Sequence, residues 1–395
     1  MHNPDDSYAD KGFDTRVIHA GQRPEPTTGA IMVPIFQTST YVQRSPGVHT
    51  GFEYSRTQNP TRQALEDCLA SLEGARHGIA FASGVAATST IMHTLRQGDH
   101  VLCGDDVYGG TYRVFTKVFE TMGLDFTFVD TTDVDALRAA FRPNTKLLWL
   151  ESPTNPLLKI TDITAACAIA HEREVKVVVD NTFMSSYFQQ PLALGADMVV
   201  HSTTKFINGH SDVVGGIVCT NDEEVGSRLR ILQNSIGAIP GPMDCWLVLR
   251  GVKTLSVRMR QHAASAQVLA ELLDAHPAVE RVVFPGLPSH PQYDIAQRQM
   301  SGPGGMITFF LKGGLEAARA MLESVEIFAL AESLGGVESL IEHPAIMTHA
   351  SVPAAVREQL GLTDALVRLS VGIEDVEDLK DDLNQALALA MGARS

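Results

Sequence analysis

Three short apolar runs, each followed by a polar cluster, constrain the fold of this chain more than any other feature. Such runs are typical of buried parallel strands, and a helix predicted over Ile163–His171 between two of them gives the alternation of a βαβ unit. Because ligands bind beyond the carboxyl ends of strands in open α/β sheets, we expect these polar groups on one rim. The runs are Lys146–Leu150 before Glu151–Asn155, Val175–Val179 before Asp180–Thr182, and Met198–Val200 before His201–Lys205.

Bulk composition narrows the class of protein. A chain of 395 residues predicts more than one domain, and 44% hydrophobic residues predict a globular one. The formal charge of −15 argues against nucleic acid and anionic membrane as partners. No stretch reads as a membrane span or an export signal.

The five cysteines are scattered without CxxC spacing, which is typical of packing thiols in a reducing compartment. We therefore expect a cytoplasmic protein. His210 stands without a second ligand at metal spacing, so we expect no metal site.

The chain divides into three predicted parts. Residues 1–60 are rich in turn formers and read as an arm that packs on a neighbouring subunit. Residues 61–255 read as a large α/β domain, and residues 256–395 as a smaller α+β domain. The predicted elements of the last two parts include a helix from Pro60 capped by Asn59, a strand His77–Ala82, a helix Val85–Leu95, a nearly continuous helix Met243–Leu273, strands Met306–Leu311, Glu326–Ala331 and Ala365–Val371, and a last helix.

Several side chains carry two interpretations each. Lys205 reads as an exposed loop lysine or as an amine that forms a covalent bond, and Arg56 as a surface salt bridge or an anion ligand. Arg368 lies inside an apolar strand, so its partner is either structural or a substrate carboxylate. Gly84, after Ser83 at a strand-to-helix turn, suits an anion at a helix N-terminus.

Together these groups favour one cofactor, pyridoxal 5′-phosphate. Its aldehyde requires a lysine (Lys205), and its pyridine nitrogen requires a carboxylate (Asp180). Its ring would lie against Tyr108, with Asn155 as an amide donor. Its phosphate requires hydroxyls, backbone N–H groups and an arginine, which the rim supplies from Ser83, Gly84, Ser202, Thr204 and Arg56.

The sequence resembles the Cys/Met-metabolism pyridoxal-phosphate enzymes from about Arg16 to the last helix. The resemblance implies an aminotransferase-like (fold type I) large domain with a mainly parallel sheet, and a homotetramer built as a dimer of dimers with shared active sites. The motifs that carry it are EYSRTQNPTR, DVYGGTYR, ESPTNP, VVDNTF, HSTTKFINGHSDVVGG and AESLGGVESLIEHPAIMTHAS.

The resemblance also implies residue roles. Lys205 is similar to the Schiff-base lysine, Asp180 to the partner of the pyridine nitrogen, and Tyr108 to the stacked ring. The implied phosphate ligands are Gly84, Val85, Ser202 and Thr204, with Tyr54 and Arg56 from a neighbouring subunit. Val85 replaces the usual methionine or leucine, in a contact made by the backbone. The implied ligands of the substrate α-carboxylate are Arg368, Asn155 and Ser333.

The implied chemistry is carbon–sulfur bond cleavage. The family's β-lyases carry an aromatic residue where this chain has Glu332, so the resemblance favours the α,γ-elimination of cystathionine. The γ-replacement of an O-acylhomoserine by cysteine is the alternative, ahead of β-lyase and methionine γ-lyase activity. A non-catalytic protein on the same fold and a cofactor-free Schiff-base aldolase barrel are alternatives from other classes.

Overall fold

The fold is α/β, with a mixed, mostly parallel large sheet and a smaller second sheet. It is taken from a computed structural model that describes Tyr8, residues 10–349 and residues 353–392. The strands of the described residues are β1 His77–Phe81, β2 His100–Gly104, β3 Asp125–Val129, β4 Thr145–Glu151, β5 Lys176–Asp180, β6 Met198–Ser202, β7 Gly216–Thr220, β8 Val279–Val283, β9 Met306–Leu311, β10 Ala329–Leu330, β11 Leu340–Glu342 and β12 Leu366–Ser370.

The α-helices vary from one turn to six. In chain order they are α1 Phe13–His19, α2 Pro60–Glu73, α3 Gly84–Met92, α4 Gly109–Val114, α5 Val134–Ala140, α6 Ile163–His171, α7 Ser185–Phe188, α8 Glu223–Ile236, α9 Pro242–Val252, α10 Leu255–Ala275, α11 Tyr293–Gln299, α12 Gly314–Leu322, α13 Ala354–Leu360 and α14 Val376–Gly392.

The chain forms two compact units. The first comprises the described residues up to Leu95 together with Asp197–Ser256. In it, β7 lies between β1 and β6 and is antiparallel to both. Since Ser202 and Phe81 both pair with Gly216, the carboxyl ends of β1 and β6 lie at one edge.

The second unit comprises Arg96–Ala196 and the described residues from Val257 onward. Its parallel strands run in the order β5-β4-β2-β3, which sets Glu151 opposite Asp180 at their carboxyl ends. Its other sheet has the order β10-β11-β12-β9-β8. Alternation on that sheet buries one face against α10, α12 and α14 in a core that includes Leu273, Phe309 and Leu383.

Most predicted elements are confirmed, and α6 has the predicted bounds. Asn59 caps α2, because its side chain accepts hydrogen bonds from the N–H groups of Thr61 and Arg62. The final helix buries Leu379, Leu383, Ala386 and Leu387 as its periodicity predicts.

The nearly continuous helix predicted over Met243–Leu273 is divided into two helices by a break of two residues. Helix α9 ends at Val252 and α10 begins at Leu255. The backbone N–H and the Oγ1 of Thr254 both donate to Gly251 O, at 3.2 and 3.1 Å, and so close the last turn of α9. This termination needs neither proline nor a left-handed residue, which are the breakers that a sequence displays.

The predicted strand Glu326–Ala331 is also too long, since β10 holds only Ala329–Leu330. The N–H groups of Glu326, Ile327 and Phe328 donate instead to the buried carboxylate of Asp382, at 2.7, 2.8 and 2.9 Å. A side chain 54 to 56 residues away thus takes over the hydrogen bonds of a strand ladder.

Candidate active site

The turn from β1 to α3 forms a narrow backbone cradle in the first unit. Ser83 caps α3 by accepting a 3.0 Å hydrogen bond from Ala86 N. A Cβ on Gly84 would lie 3.0 Å from Cβ of Ser202, and one on Gly216 would lie 2.4 Å from Ser83 O. The backbone at this turn therefore packs too closely for a side chain at Gly84 or Gly216. The first N–H groups of the helix, those of Gly84 and Val85, have no partner within the helix and are available to an anion.

Lys205 lies in the turn that follows β6, on the same edge. Its backbone N–H donates to Ser202 O at 3.3 Å, and its carbonyl accepts from Gly209 N at 2.8 Å. Thr204 Oγ1 accepts a 3.0 Å hydrogen bond from Gly215 N, which ties this turn to the start of β7. The lysine side chain is half-buried. The first unit thus brings Ser83, Gly84, Ser202, Thr204 and Lys205 to one edge.

A buried pair fixes the end of β6 just before these residues. His201 Nε2 lies 2.5 Å from Glu73 Oε1, and the two side chains are 1% and 2% exposed. The pair joins the last turn of α2 to the strand that carries Ser202.

Tyr54 and Arg56 lie on the surface of the first unit. The Arg56 guanidinium carbon is 5.7 Å from the centroid of the Tyr54 ring, a cation–π arrangement. Tyr54 is 45% exposed, and Arg56 is exposed as well. In this chain the pair therefore faces solvent.

In the second unit, one buried carboxylate holds two of the predicted site residues. Glu151 Oε2 accepts from Tyr108 N at 3.0 Å and Oε1 accepts from Asn155 N at 2.9 Å. Burial raises the pKa of Glu151, and the neighbouring Asp180 charge raises it further. The end of β4 thus sets the positions of Tyr108 and Asn155.

Tyr108 caps α4 with its ring over the first helical turn. A Cβ on Gly110 would lie 2.3 Å from Cε1 of Tyr108, so only glycine allows this ring position. Burial raises the pKa of the Tyr108 hydroxyl, with smaller effects from Arg113, Glu332 and other charges. The phenol therefore keeps its proton through the physiological range.

Asp180 ends β5 and is half-buried. Its Oδ1 accepts hydrogen bonds from Thr182 N at 3.1 Å and from Thr182 Oγ1 at 2.5 Å. These two bonds fix the orientation of the carboxylate in an Asx-type turn.

Arg368 is among the largest fully buried side chains of the described residues. Nη1 donates to Asn155 Oδ1 at 2.8 Å and lies 2.9 Å from Glu342 Oε1, and Nη2 donates to Ser333 O at 2.7 Å. Among the described residues, Nε has no hydrogen-bond partner. Arg368 thus has the structural partners expected of a buried guanidinium, and one further donor.

Ser333 and Glu332 lie close to this arginine. Ser333 has φ 98°, a conformation rare for a residue with a side chain, and its carbonyl contacts the guanidinium. Glu332 is exposed. Burial lowers the pKa of Arg368 and raises that of Tyr108, and the Glu332 charge opposes the first shift and adds to the second. The second unit thus brings Tyr108, Asn155, Glu332, Ser333 and Arg368 together.

The sequence interpretation placed Glu151 on the rim without giving it a role, and it gave no role to Glu342, Thr348 or His349. Glu151 ends β4 as Asp180 ends β5, so the same strand-end rule selects it. Glu342, Thr348 and His349 have no comparable pattern, because only the folded chain brings them to Arg368 and Asn155.

A family model for the Cys/Met metabolism PLP-dependent enzymes matches residues 14–388. The chain belongs to this family. Its members are pyridoxal-phosphate-dependent, and the chain is accordingly a pyridoxal-phosphate-dependent carbon–sulfur lyase of fold type I.

Individual relatives are similar over almost the whole chain. Cystathionine gamma-lyase of Dictyostelium discoideum is 56% identical, over 94% of this chain and 97% of that protein. Cystathionine beta-lyase of Coxiella burnetii is also 56% identical, over 95% and 97%. The crystal structure of cystathionine gamma-lyase from Lactobacillus plantarum, complexed with L-serine, superposes with a TM-score of 0.94 at 46% identity, over 96% of this chain and 99% of that one.

Each unit, taken by itself, holds residues that suit part of the family's cofactor. The first unit offers a lysine, hydroxyls and a helix N-terminus, which suit an aldehyde and a phosphate. They lie beside Gly84 and Gly216, where the backbone leaves no room for a further side chain. The second offers an oriented carboxylate and a phenol ring that is 39% exposed. Among the described residues, no His, Cys, Asp and Glu cluster suits a metal ion, and no helix has the length and hydropathy for a membrane crossing.

Proposed function

We propose that this chain catalyses the α,γ-elimination of L-cystathionine, with one water, to L-cysteine, 2-oxobutanoate and ammonia. One observation carries the proposal: a buried, rigidly held arginine with a remaining Nε donor, in a chain of this lyase family. A planar guanidinium fixed in this way suits an α-carboxylate. The relatives named above support cystathionine as the substrate.

Lys205 and Asp180 have different proposed roles in the reaction. When bound, pyridoxal phosphate supplies an aldehyde for the substrate amine and a ring that accepts electrons from Cα. Lys205 Nζ is the proposed base: it would take the Cα proton, return it to the cofactor-bound substrate, and then take a Cβ proton. Asp180 is the proposed carboxylate for the cofactor's ring nitrogen, since Thr182 holds it in a fixed orientation.

The cofactor's phosphate has proposed ligands at the carboxyl ends of β1 and β6 in the first unit. Backbone N–H groups of Gly84 and Val85 and the hydroxyls of Ser83, Ser202 and Thr204 are suited to a dianion. Tyr54 and Arg56 face solvent in this chain, which is consistent with their serving the site of a neighbouring subunit.

Tyr108 is the proposed stacking ring and a proton donor. Because burial keeps its pKa raised, the hydroxyl has a proton to give to a departing sulfur. The exposed carboxylate of Glu332 is the proposed partner of the amino group at the distal end of cystathionine.

The ring position of Tyr108 gives a first prediction. Gly110→Ala places a methyl group 2.3 Å from Cε1, so the ring must turn away. We expect kcat/KM for cystathionine to fall about 100-fold, which is the loss that a small displacement of a reacting group causes. In a double-mutant cycle with Tyr108→Phe, the two losses should not add, because the first change already misplaces the hydroxyl.

Gly392→Ala is the matched control. Gly392 ends α14, and a Cβ there would meet nothing within 4 Å. We expect its kinetics to equal those of the unchanged enzyme. Full activity of the Gly110→Ala enzyme would contradict the proposed ring position.

A second candidate is cystathionine β-lyase, favoured by the Coxiella relative at 56% identity. The two reactions cleave different carbon–sulfur bonds, so their products decide between them. With holoenzyme and L-cystathionine we expect 2-oxobutanoate and cysteine in equal amounts, measured by chromatography. Pyruvate and homocysteine as the main products would establish the β-lyase instead. O-succinyl- or O-acetylhomoserine with cysteine, in a parallel reaction, tests for the γ-synthase.

We propose further that the enzyme is a cytoplasmic homotetramer, a dimer of dimers with active sites shared between subunits. Residues 31–42 support a role for the arm in subunit contacts, since Ile31 is 81% exposed and Val42 is 94% exposed in the single chain. All five cysteines are buried, as packing thiols in a reducing compartment are. Light scattering of the holoenzyme at several concentrations measures the assembly.

A further inference from the structure

Glu342 lies opposite the buried arginine in the second sheet and neutralises its charge. The two residues are direct partners in the antiparallel pair β11–β12. Glu342 Oε1 is 2.9 Å from Arg368 Nη1, and the side chains are 1% and 2% exposed. Burial lowers the pKa of Arg368, and Glu342 raises it. The guanidinium thus has a permanent counter-ion within the protein.

Neighbouring side chains hold Glu342 in this position. Thr348 Oγ1 donates to Glu342 Oε1 at 2.8 Å and lies 3.1 Å from His349 Nδ1. His349 Nε2 is 3.1 Å from Asn155 O, and Asn155 Oδ1 accepts from Arg368 at 2.8 Å. The contacts close a ring of five buried or half-buried residues, so Glu342 cannot turn away when a ligand binds to the arginine.

An anion on Arg368 therefore shares the guanidinium with Glu342. The arginine's Nη1 faces Asn155 and Glu342, and its Nη2 donates to Ser333, which leaves the Nε side for a ligand. Two carboxylates on one buried cation repel each other, and this repulsion is poorly screened away from water.

We propose that Glu342 sets how tightly the enzyme holds a substrate carboxylate, acting through Arg368 as a built-in competitor for its charge. The inference rests on the proposed role of Arg368 in the lyase reaction. Weaker binding of the substrate carboxylate in the ground state leaves kcat intact, because binding that is equally tight in the ground and transition states does not accelerate the chemical step. It also lets products that carry a carboxylate dissociate. Glu342 is thus a positioning and specificity-determining residue.

The rival role for Glu342 is a strut that only keeps Arg368 in place. The two roles differ in sign for Glu342→Gln, which keeps the length and an acceptor oxygen but removes the charge. Competition for the guanidinium predicts tighter binding of carboxylates. A strut predicts weaker or unchanged binding.

The test measures dissociation constants of glycine and glycinamide on the holoenzyme by titration calorimetry. The two probes share an amine and differ in the carboxylate. For Glu342→Gln we expect glycine to bind about tenfold more tightly, as relief of a like-charge interaction allows, and glycinamide to stay within about twofold. An unchanged or raised dissociation constant for glycine overturns the inference.

Two further variants keep the test decisive. If Glu342→Gln folds poorly, Glu342→Met with Thr348→Val removes the same charge with apolar side chains of similar size, and the same tightening is expected. Asp382→Asn is the matched control, since Asp382 is a buried carboxylate of the same unit that serves the N–H groups of residues 326–328. Its glycine affinity should not change.

A failure of the proposed role of Arg368 gives a different result from a failure of the inference about Glu342. If unchanged enzyme binds glycine and glycinamide equally, and Arg368→Lys alters neither, Arg368 is not the carboxylate ligand. That result withdraws the proposed role of Arg368 and this inference with it. A normal glycine preference with no response to Glu342→Gln withdraws the inference alone.

Discussion

Replacing Lys205 by alanine is expected to lower kcat for cystathionine by about 10⁴-fold, the upper range for loss of a positioned base. The ε-amine at the end of β6 is the proposed base for both proton removals and the group that bonds the cofactor's aldehyde. Within the described part of the chain, no other lysine directly follows either strand of that edge, since β1 leads to Ser83 and β6 to Lys205. The measurement is 2-oxobutanoate formation by holoenzyme, together with the absorbance of bound cofactor.

The Lys205→Arg variant tests whether a positive charge at this position is enough for activity. The guanidinium keeps the positive charge but does not lose its proton near neutral pH, so it cannot serve as base or nucleophile. We expect it to be as inactive as the alanine variant. Lys380→Ala, which breaks an exposed pair with Glu377 at 2.7 Å on α14, should leave kcat unchanged. A yellow, active Lys205→Ala enzyme would remove Lys205 from the mechanism.

Strand ends were the most predictable part of this molecule. The apolar runs predict β4, β5 and β6, because strands of a parallel sheet are buried on both faces and are therefore apolar along their whole length. The polar residues that follow, Glu151, Asp180 and Ser202, each end a strand as expected. The same residues favour the cofactor and the resemblance implies the family's fold, and the comparisons confirm both.

Contacts between distant residues were not predictable from periodicity. The break between α9 and α10 depends on hydrogen bonds of Thr254 to Gly251, in a stretch with no proline. The shortening of β10 depends on Asp382, more than fifty residues later. Local propensity is a weak guide where a tertiary contact satisfies the backbone instead.

The arginine site shows the same limit at a functional position. An arginine between apolar residues of β12 predicts a buried partner, and the sequence left open whether that partner is protein or substrate. The structure supplies Glu342 and Asn155 as protein partners. The contact with Glu342 was not readable in advance, because register across β11 and β12 decides which residue faces the guanidinium. The resemblance had already grouped Asn155 with Arg368 as ligands of one carboxylate.

Arg368→Lys is expected to reduce kcat/KM for cystathionine about 100-fold, mainly through KM. Lysine keeps the charge but loses the fixed fork that bonds Asn155 Oδ1 and Ser333 O at 2.8 and 2.7 Å. Losing one partner of a buried, hydrogen-bonded charge pair costs about 3 kcal/mol, which corresponds to about 100-fold. Steady-state kinetics over a wide substrate range separate KM from kcat.

Loss of activity in that variant has a second source, since Glu342 would remain buried with a poorer partner. The double change Arg368→Leu with Glu342→Leu removes both charges, and apolar replacement of a buried ion pair is often neutral or stabilising. We expect this protein to keep its melting temperature within a few degrees, yet to lose at least as much kcat/KM as Arg368→Lys. Activity that recovers with the restored stability would make Arg368 a purely structural residue, whereas a stable, inactive double variant assigns the loss to the missing carboxylate ligand.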